Sequence, residues 1–347
     1  SDAITTAADG TCTAKLTSVG GSGLSHRNKV INGGMTISQR GTTFSATTSS
    51  IYTLDRLQIA TGTAFNFDTT ITQDSSTPDG FRKSLKITPD STQTPTGSHN
   101  GTIRQVFEGQ DFQDLAFGTS SAKSVTVSFY AKSSSQNNNH QYGVQLRCRD
   151  GSTTQYVNQA FTVTSSWQRF TMTFVGNTGL AIRNDTLNGF EICFHLASGS
   201  DDIVSAKSTW TTSGAFQTVT GQSNFMDNTS NEFYLTGVQL EVGETATSFE
   251  HRSFADELAR CSRYCQVWGR GYCIGNAVGS SDINIGVPLT TPLRDTPSAN
   301  ALTMHRSGNQ NASCTFHSAQ YVAGTNVVEI RMGNWTGGAA VSDEVAY

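Results

Sequence analysis

A chain of 347 residues and 37.1 kDa is long enough for two ordinary domains or one large β-domain with additions. Only 14% of its residues are charged, its net charge is −4 and its pI is about 6.0, which excludes the basic stripe that holds a nucleic-acid backbone. No apolar run approaches the roughly 20 residues of a membrane-spanning helix, so neither nucleic-acid binding nor membrane insertion is expected.

Residues 1–28 are dominated by Thr, Ala, Gly and Ser, too little apolar surface to bury a core. They read as a linker or attachment segment that orders on a neighbouring subunit or a particle surface. The first six residues have neither a charged region nor an apolar stretch, so no signal peptide is expected. From Val30 onward several segments alternate apolar and polar side chains, the mark of strands with one buried and one wet face. Residues 124–131 place Val125, Val127 and Phe129 on one side; residues 142–148 do the same with Tyr142, Val144, Leu146 and Cys148. Residues 167–175 open on Trp167 as a core anchor and continue through Phe170, Met172 and Phe174. Residues 190–196 bury Phe190, Ile192, Phe194 and Leu196, which leaves His195 as a polar outward residue. Residues 233–242 close the series. Polar, glycine-rich loops separate these strands, so residues 29–252 are expected to form a sandwich. Asp55 and Arg56 read as a partly buried ion pair pinning a strand end, and Asp201 with Asp202 as solvated loop residues.

Residues 253–268 change period. Phe254, Leu258, Cys261, Cys265 and Trp268 share one helical face, Ser253 is the expected N-cap, and Gly269 is the expected stop. The spacing predicts a helix connecting the sandwich to a small β-domain over residues 269–347, with strands around 283–287, 301–304 and 326–332. Fewer than eighty residues give that domain a thin core, which favours burial against copies of itself. The fold class is thus all-β: an antiparallel β-sandwich with one short helix and a smaller C-terminal β-domain. The seven cysteines, Cys12, Cys148, Cys193, Cys261, Cys265, Cys273 and Cys314, are odd in number and irregularly spaced. They read as reduced, buried thiols made in a cytoplasm, with no metal site.

The order of several short motifs resembles proteins of bacteriophage fibres and virions, above all the marine and cyanobacterial phage type. The resemblance is carried by residues 28–35 with 39–42, residues 52–57, residues 125–133, residues 167–170, residues 236–243, residues 245–252, residues 257–264, and Pro288-Leu289 with residues 293–297. The module is also similar to carbohydrate-binding jelly rolls found beside bacterial glycanases. What the resemblance implies is a jelly-roll sandwich on a virion appendage, a trimer facing the host surface, attached to other virion proteins through its N-terminal segment.

The chemistry-bearing motifs of enzymes are missing from the sequence: no Gly-x-Ser-x-Gly elbow, no His-Glu-x-x-His helix and no Walker loop. A glycan-cleaving tailspike would need two carboxylates facing one cleft, and nothing in the spacing of the 27 acidic residues pairs any two. No catalytic residue and no cofactor is therefore expected. Aromatic side chains on loops or a sheet can hold sugars. Trp210, Tyr142 and Tyr156 are the candidate contacts to a host glycan, with Phe216 and Phe225 in the same long polar stretch as Trp210. The alternative is that these rings cover a sandwich edge or a subunit interface. The expected function is a tail- or head-fibre subunit of the virion that binds host glycans. The alternatives are a capsid decoration protein and a polysaccharide-degrading tailspike enzyme.

Overall fold

The computed structural model describes residues 26–62, 65–213, 215–267, 274–278, 282–296, 304–306, 310–321 and 327–336. The chain divides into two compact units, Ser1–Arg252 and Ser253–Tyr347.

The first unit carries β1 (Thr43–Ala46), β2 (Ile51–Tyr52), β3 (Gln58–Gly62), β4 (Thr69–Asp74), β5 (Ser84–Pro89), β6 (Asn100–Glu108), β7 (Val125–Ser133), β8 (Gln141–Asp150), β9 (Thr153–Thr162), β10 (Gln168–Phe174), β11 (Asn188–Ser198), β12 (Ile203–Val204), β13 (Lys207–Thr212), β14 (Thr218–Val219) and β15 (Phe233–Val242). They build an antiparallel jelly-roll sandwich. One sheet has six strands in the order β1-β4-β5-β15-β7-β10; the other has seven, β13-β9-β8-β11-β6-β3-β2. Short β12 and β14 pair in parallel outside both sheets.

The alternation written in the sequence fills the space between the sheets. Val125, Val127, Phe129 and Ala131 of β7 face Tyr142, Val144, Leu146 and Cys148 of β8 and Phe190, Ile192, Phe194 and Leu196 of β11 in one continuous buried cluster. Phe129 lies 5.0 Å from Phe161, 5.3 Å from Phe170 and 5.0 Å from Phe194, two of them edge-on, the arrangement ring quadrupoles favour. Truncating such a ring costs about 3–5 kcal/mol.

Several expectations need correction. Trp167 is no core anchor: it has the opposite parity from Phe170, Met172 and Phe174 and lies half-exposed on the outside. His195 does face away from Phe194, yet it is fully buried. Asp55 is held by the Gln39 backbone N–H (2.9 Å) and amide (2.5 Å) and lies 4.0 Å from Arg40, whereas Arg56 donates to the Val106 carbonyl. Asp202 is buried and accepts from Asn100, unlike exposed Asp201.

In the second unit the helix α1 (Phe254–Ser262) is shorter than the spacing predicts. Ser253 caps it by accepting from the Asp256 backbone N–H at 3.1 Å. The Tyr264 N–H turns back to the Cys261 carbonyl at 2.9 Å, tightening and ending the last turn. Phe254 is exposed, and Cys261 is the buried thiol of that face. The Trp268 and Gly269 expectations lie outside the described residues. A five-stranded sheet follows, from β16 (Ile274–Val278), β17 (Asp282–Pro288), β18 (Met304–Arg306), β19 (Gln310–Tyr321) and β20 (Val327–Thr336), in the order β16-β17-β20-β19-β18. Ile285, Val287, Val328 and Ile330 supply its buried side. Cys148 and Cys193 are buried, free thiols. Cys12, Cys273 and the Cys314 side chain lie outside the described residues.

Candidate functional site

Both sheets of the sandwich have an outer face, and the two are finished differently. On the seven-stranded sheet the outward side chains of β6, β8, β9 and β11 are polar, yet Gln145, Arg147, Asn158, Glu191 and His195 are all fully buried. The cover is the chain between β11 and β15. Lys207 donates its N–H to Asn158 at 2.8 Å, Asn158 donates to the Thr218 carbonyl at 3.0 Å, and the Gln222 amide donates to the His195 carbonyl at 2.9 Å. Thr218 comes so close to Gly143 on β8 that a Cβ there would collide with its hydroxyl; the glycine is what lets the cover lie flat.

Under this cover Glu191 collects three guanidinium groups: Arg147 at 2.8 Å, Arg149 at 3.1 Å and Arg104 at 3.6 Å. Phe216 closes the cluster, its ring 4.2 Å from the Arg147 guanidinium and 5.2 Å from that of Arg104. Burial alone would raise the Glu191 carboxyl, but the three arginines and the Asn188 amide outweigh it and hold the pKa below the ordinary value. Burial pushes the neighbouring Cys193 thiol up to about 12, so it is no nucleophile. Burial and the Arg147 charge push His195 down to about 3. Its neutral ring lies 3.2 Å from Gln145 and 3.5 Å from Thr102. Among the described residues this is an enclosed polar layer around Glu191, from which Arg149 and Arg104 reach partly to solvent.

The expected sugar contacts fall within or beside these layers. Tyr142 is enclosed in the core, 5.5 Å from Phe233 and 6.4 Å from Phe225, which is itself buried. Tyr156 is almost fully buried under the cover. Neither ring offers a face to a ligand, because both outer and inner sides of the seven-stranded sheet are packed. Trp210 is half-buried, its indole N–H donates to the Val175 carbonyl at 2.7 Å, and its ring packs on Phe117 at 5.4 Å. It covers a sandwich edge, packed on the core from the edge strand β13.

The six-stranded sheet is covered at one end, where Thr126, Ser128, Gln239 and Glu241 are buried under residues 243–250, and presents an open face over the rest. Its register sets one row of side chains across neighbouring strands: Thr43 opposite Thr72, Thr72 opposite Lys86, Lys86 opposite Tyr234, Tyr234 opposite Lys132. Trp167, one residue before β10, ends the row beside Lys132. The Lys132 ammonium sits 4.4 Å from the centre of the Tyr234 ring and 5.5 Å from that of Trp167. Lys86 pairs with Glu232 at 2.5 Å, and the Tyr234 hydroxyl donates to the other Glu232 oxygen at 2.9 Å. Burial raises the Glu232 carboxyl, but Lys86 and Tyr234 prevail and lower it overall; the same pairing raises Lys86 against its own burial.

On one side of Lys86 the row opens into a shallow hollow of about 580 Å³, lined by Thr42, Thr43, Thr70, Thr72, Gln73, Asp74, Thr88 and Asp90. Along the strands, next to Lys132, stands a second group of rings: Phe81 lies 5.2 Å from Tyr130 and 5.0 Å from Phe249, with His251 4.9 Å from Phe249. Gly237, at φ +62°, forms a bulge in β15 that leaves room for Phe81 on the sheet. The face therefore joins aromatic surface, fixed charges and a bed of hydroxyl groups, the elements with which a sheet can hold a sugar chain. Alternation could have pointed here, since Tyr130, Lys132 and Tyr234 all have outward parity in their strands. Among the described residues no group of His, Cys, Asp and Glu side chains is arranged to hold a metal ion.

No family model matches this sequence, and none of the curated proteins does. Among solved structures, a putative sugar binding protein from Bacteroides thetaiotaomicron is similar over 62% of this chain and 100% of its own, with 11% identity and a TM-score of 0.35. The CBM22-1 xylan-binding domain from Paenibacillus barcinonensis is similar over 58% of this chain and 95% of its own, at 13% identity and a TM-score of 0.30. The enzymatically active domain of bacteriophage CBA120 tailspike protein 4 is similar over 62% of this chain and 21% of its own, at 12% identity and a TM-score of 0.31. At these identities and scores the likenesses carry no argument about ligand or activity.

Proposed function

We propose that the chain is a non-catalytic subunit of a bacteriophage fibre, on tail or head, that holds host surface glycans on the outer face of its six-stranded sheet. The observation that carries the glycan reading is the open row from Thr43 to Trp167, in which aromatic and charged groups stand beside a threonine-lined hollow. The fibre reading is supported by the ordered sequence motifs between residues 28 and 297. In this reading copies assemble as a trimer in the virion, and residues 1–28 attach the subunit to other virion proteins.

Three measurements test it. A glycan array with the full chain should find a host-derived ligand, and Trp167→Ala should abolish that signal while the fold persists. No binding to any host glycan overturns the glycan reading. Release of reducing sugar from host capsule or lipopolysaccharide overturns the non-catalytic reading. Antibody labelling of intact particles should decorate an appendage; uniform labelling of the shell would instead identify a decoration protein.

A further inference from the structure

Lys132 is unlike the other cations of the open face. Lys86 is neutralised by Glu232, and Arg169 is engaged by the Ser128 hydroxyl and the Thr247 carbonyl. The Lys132 ammonium, among the described residues, has no carboxylate within 4.0 Å and no hydrogen-bond acceptor; its partners are the faces of Tyr234 and Trp167. Glu232 lies near enough to feel its charge, but both Glu232 oxygens are already taken, one by Lys86 and one by the Tyr234 hydroxyl. The two rings hold the ammonium in place and supply no negative charge. At the far end of the face the signs reverse: Asp74 and Asp90 line the hollow among its threonines.

We infer that the ligand of this face is an acidic glycan, whose sugar ring packs at Trp167 with its anionic substituent on Lys132 and whose neutral hydroxyls extend over the threonine hollow. The inference rests on the glycan reading above and names the class of sugar. A held, half-buried ammonium binds an anion with less loss of side-chain freedom than a free surface lysine, so charge and ring act on the same sugar unit. The acidic end of the row disfavours a second anionic substituent there, which fixes the direction of the chain across the sheet. The shared chemistry is one negative charge on a pyranose, a carboxylate or a sulfate ester.

The full-length protein is titrated by calorimetry with oligogalacturonate, with a sulfated chondroitin oligosaccharide and with a neutral cello-oligosaccharide of equal length, at low and high salt. Binding of either acidic probe is expected, weakened by salt, with the neutral probe at least about tenfold weaker, the equivalent of about 1.4 kcal/mol. The tighter of the two acidic probes identifies the substituent. Lys132→Met keeps the apolar stem over both rings and should weaken the acidic probe about tenfold, with thermal unfolding unchanged, while Trp167→Ala weakens all probes. Equal binding of neutral and acidic probes, or an acidic probe indifferent to Lys132→Met, overturns the inference and leaves the glycan reading intact. Failure of every probe, together with an empty glycan array, overturns both.

Discussion

On the seven-stranded sheet Glu191, His195 and Arg147 point away from the core and are nonetheless enclosed; on the six-stranded sheet Lys86, Lys132 and Thr72 point away from the core and meet solvent. The two faces are built from the same kind of alternating strand. What separates them is what comes to rest on top: residues 215–222 lie on the seven-stranded face, residues 243–250 lie on the Thr126–Glu241 end of the six-stranded face, and the row from Thr43 to Trp167 is left uncovered. The enclosed polar groups must then satisfy one another, because each left alone would carry an unrelieved desolvation penalty. The open ones are left available for a ligand. Polar side chains thus satisfy one another where the chain covers them and stay accessible where it does not.

Substitutions can break that contrast. The largest effect is expected at Glu191, where Glu191→Ala leaves three clustered guanidinium groups without their common carboxylate; it should cost about 3–5 kcal/mol in denaturant unfolding. A loss below about 1 kcal/mol would mean that the cover does not exclude water. The next largest is a pH effect. His195 has its pKa lowered from 6.5 to about 3. Its neutral form is the one the fold holds, so the stability it contributes is complete above pH 6.5 and drains as pH falls toward about 3, while unfolded chains take up the proton. Glu191 acts in the same direction, but only below its ordinary value of 4.5. Arg147 is the charge facing the imidazole, and it too opposes protonation. Between pH 6.5 and 4.5 the histidine acts before Glu191 does, and His195→Asn should flatten the unfolding profile there relative to the unsubstituted protein; an unchanged slope would refute the buried, neutral ring.

A smaller change is expected from Gly143→Ala, whose added methyl strikes the Thr218 hydroxyl and lifts the cover. Overpacking of this kind costs about 1–3 kcal/mol, and hydrogen exchange should speed up at Thr218 and Val219 while the core of β7 stays protected. On the open face the stability effects are smallest. Glu232→Gln removes a carboxylate whose pKa is lowered by Lys86 and Tyr234, so wild-type stability from this group is present above pH 4.5 and lost as pH falls below it. The pair is partly exposed, and the expected loss at neutral pH is about 0–1 kcal/mol. A loss as large as that of Glu191→Ala would erase the distinction between the faces.

The chemical pattern of β7, β8, β10, β11 and β15 is legible in the sequence, because a two-residue period dictates which side chains share a face. So was the cap of α1, a local hydrogen bond between Ser253 and Asp256. Strands β6 and β9 are not legible in this way: Asn100–Glu108 and Thr153–Thr162 carry Gln105, Gln155 and Gln159 on the core-facing side, beside Thr102, Thr154 and Asn158 on the side that becomes the polar layer, which blurs the alternation. Of the expected sugar contacts, Tyr142, Tyr156 and Trp210 are each spent on packing, while Lys132 and Trp167 stand on the open row with Tyr234, itself buried, between Lys132 and Lys86. Parity, set by the geometry of each strand, was in the sequence; enclosure was not. Whether an outward side chain meets water depends on a segment dozens of residues away coming to rest on it, and only the tertiary structure decides where that segment lies.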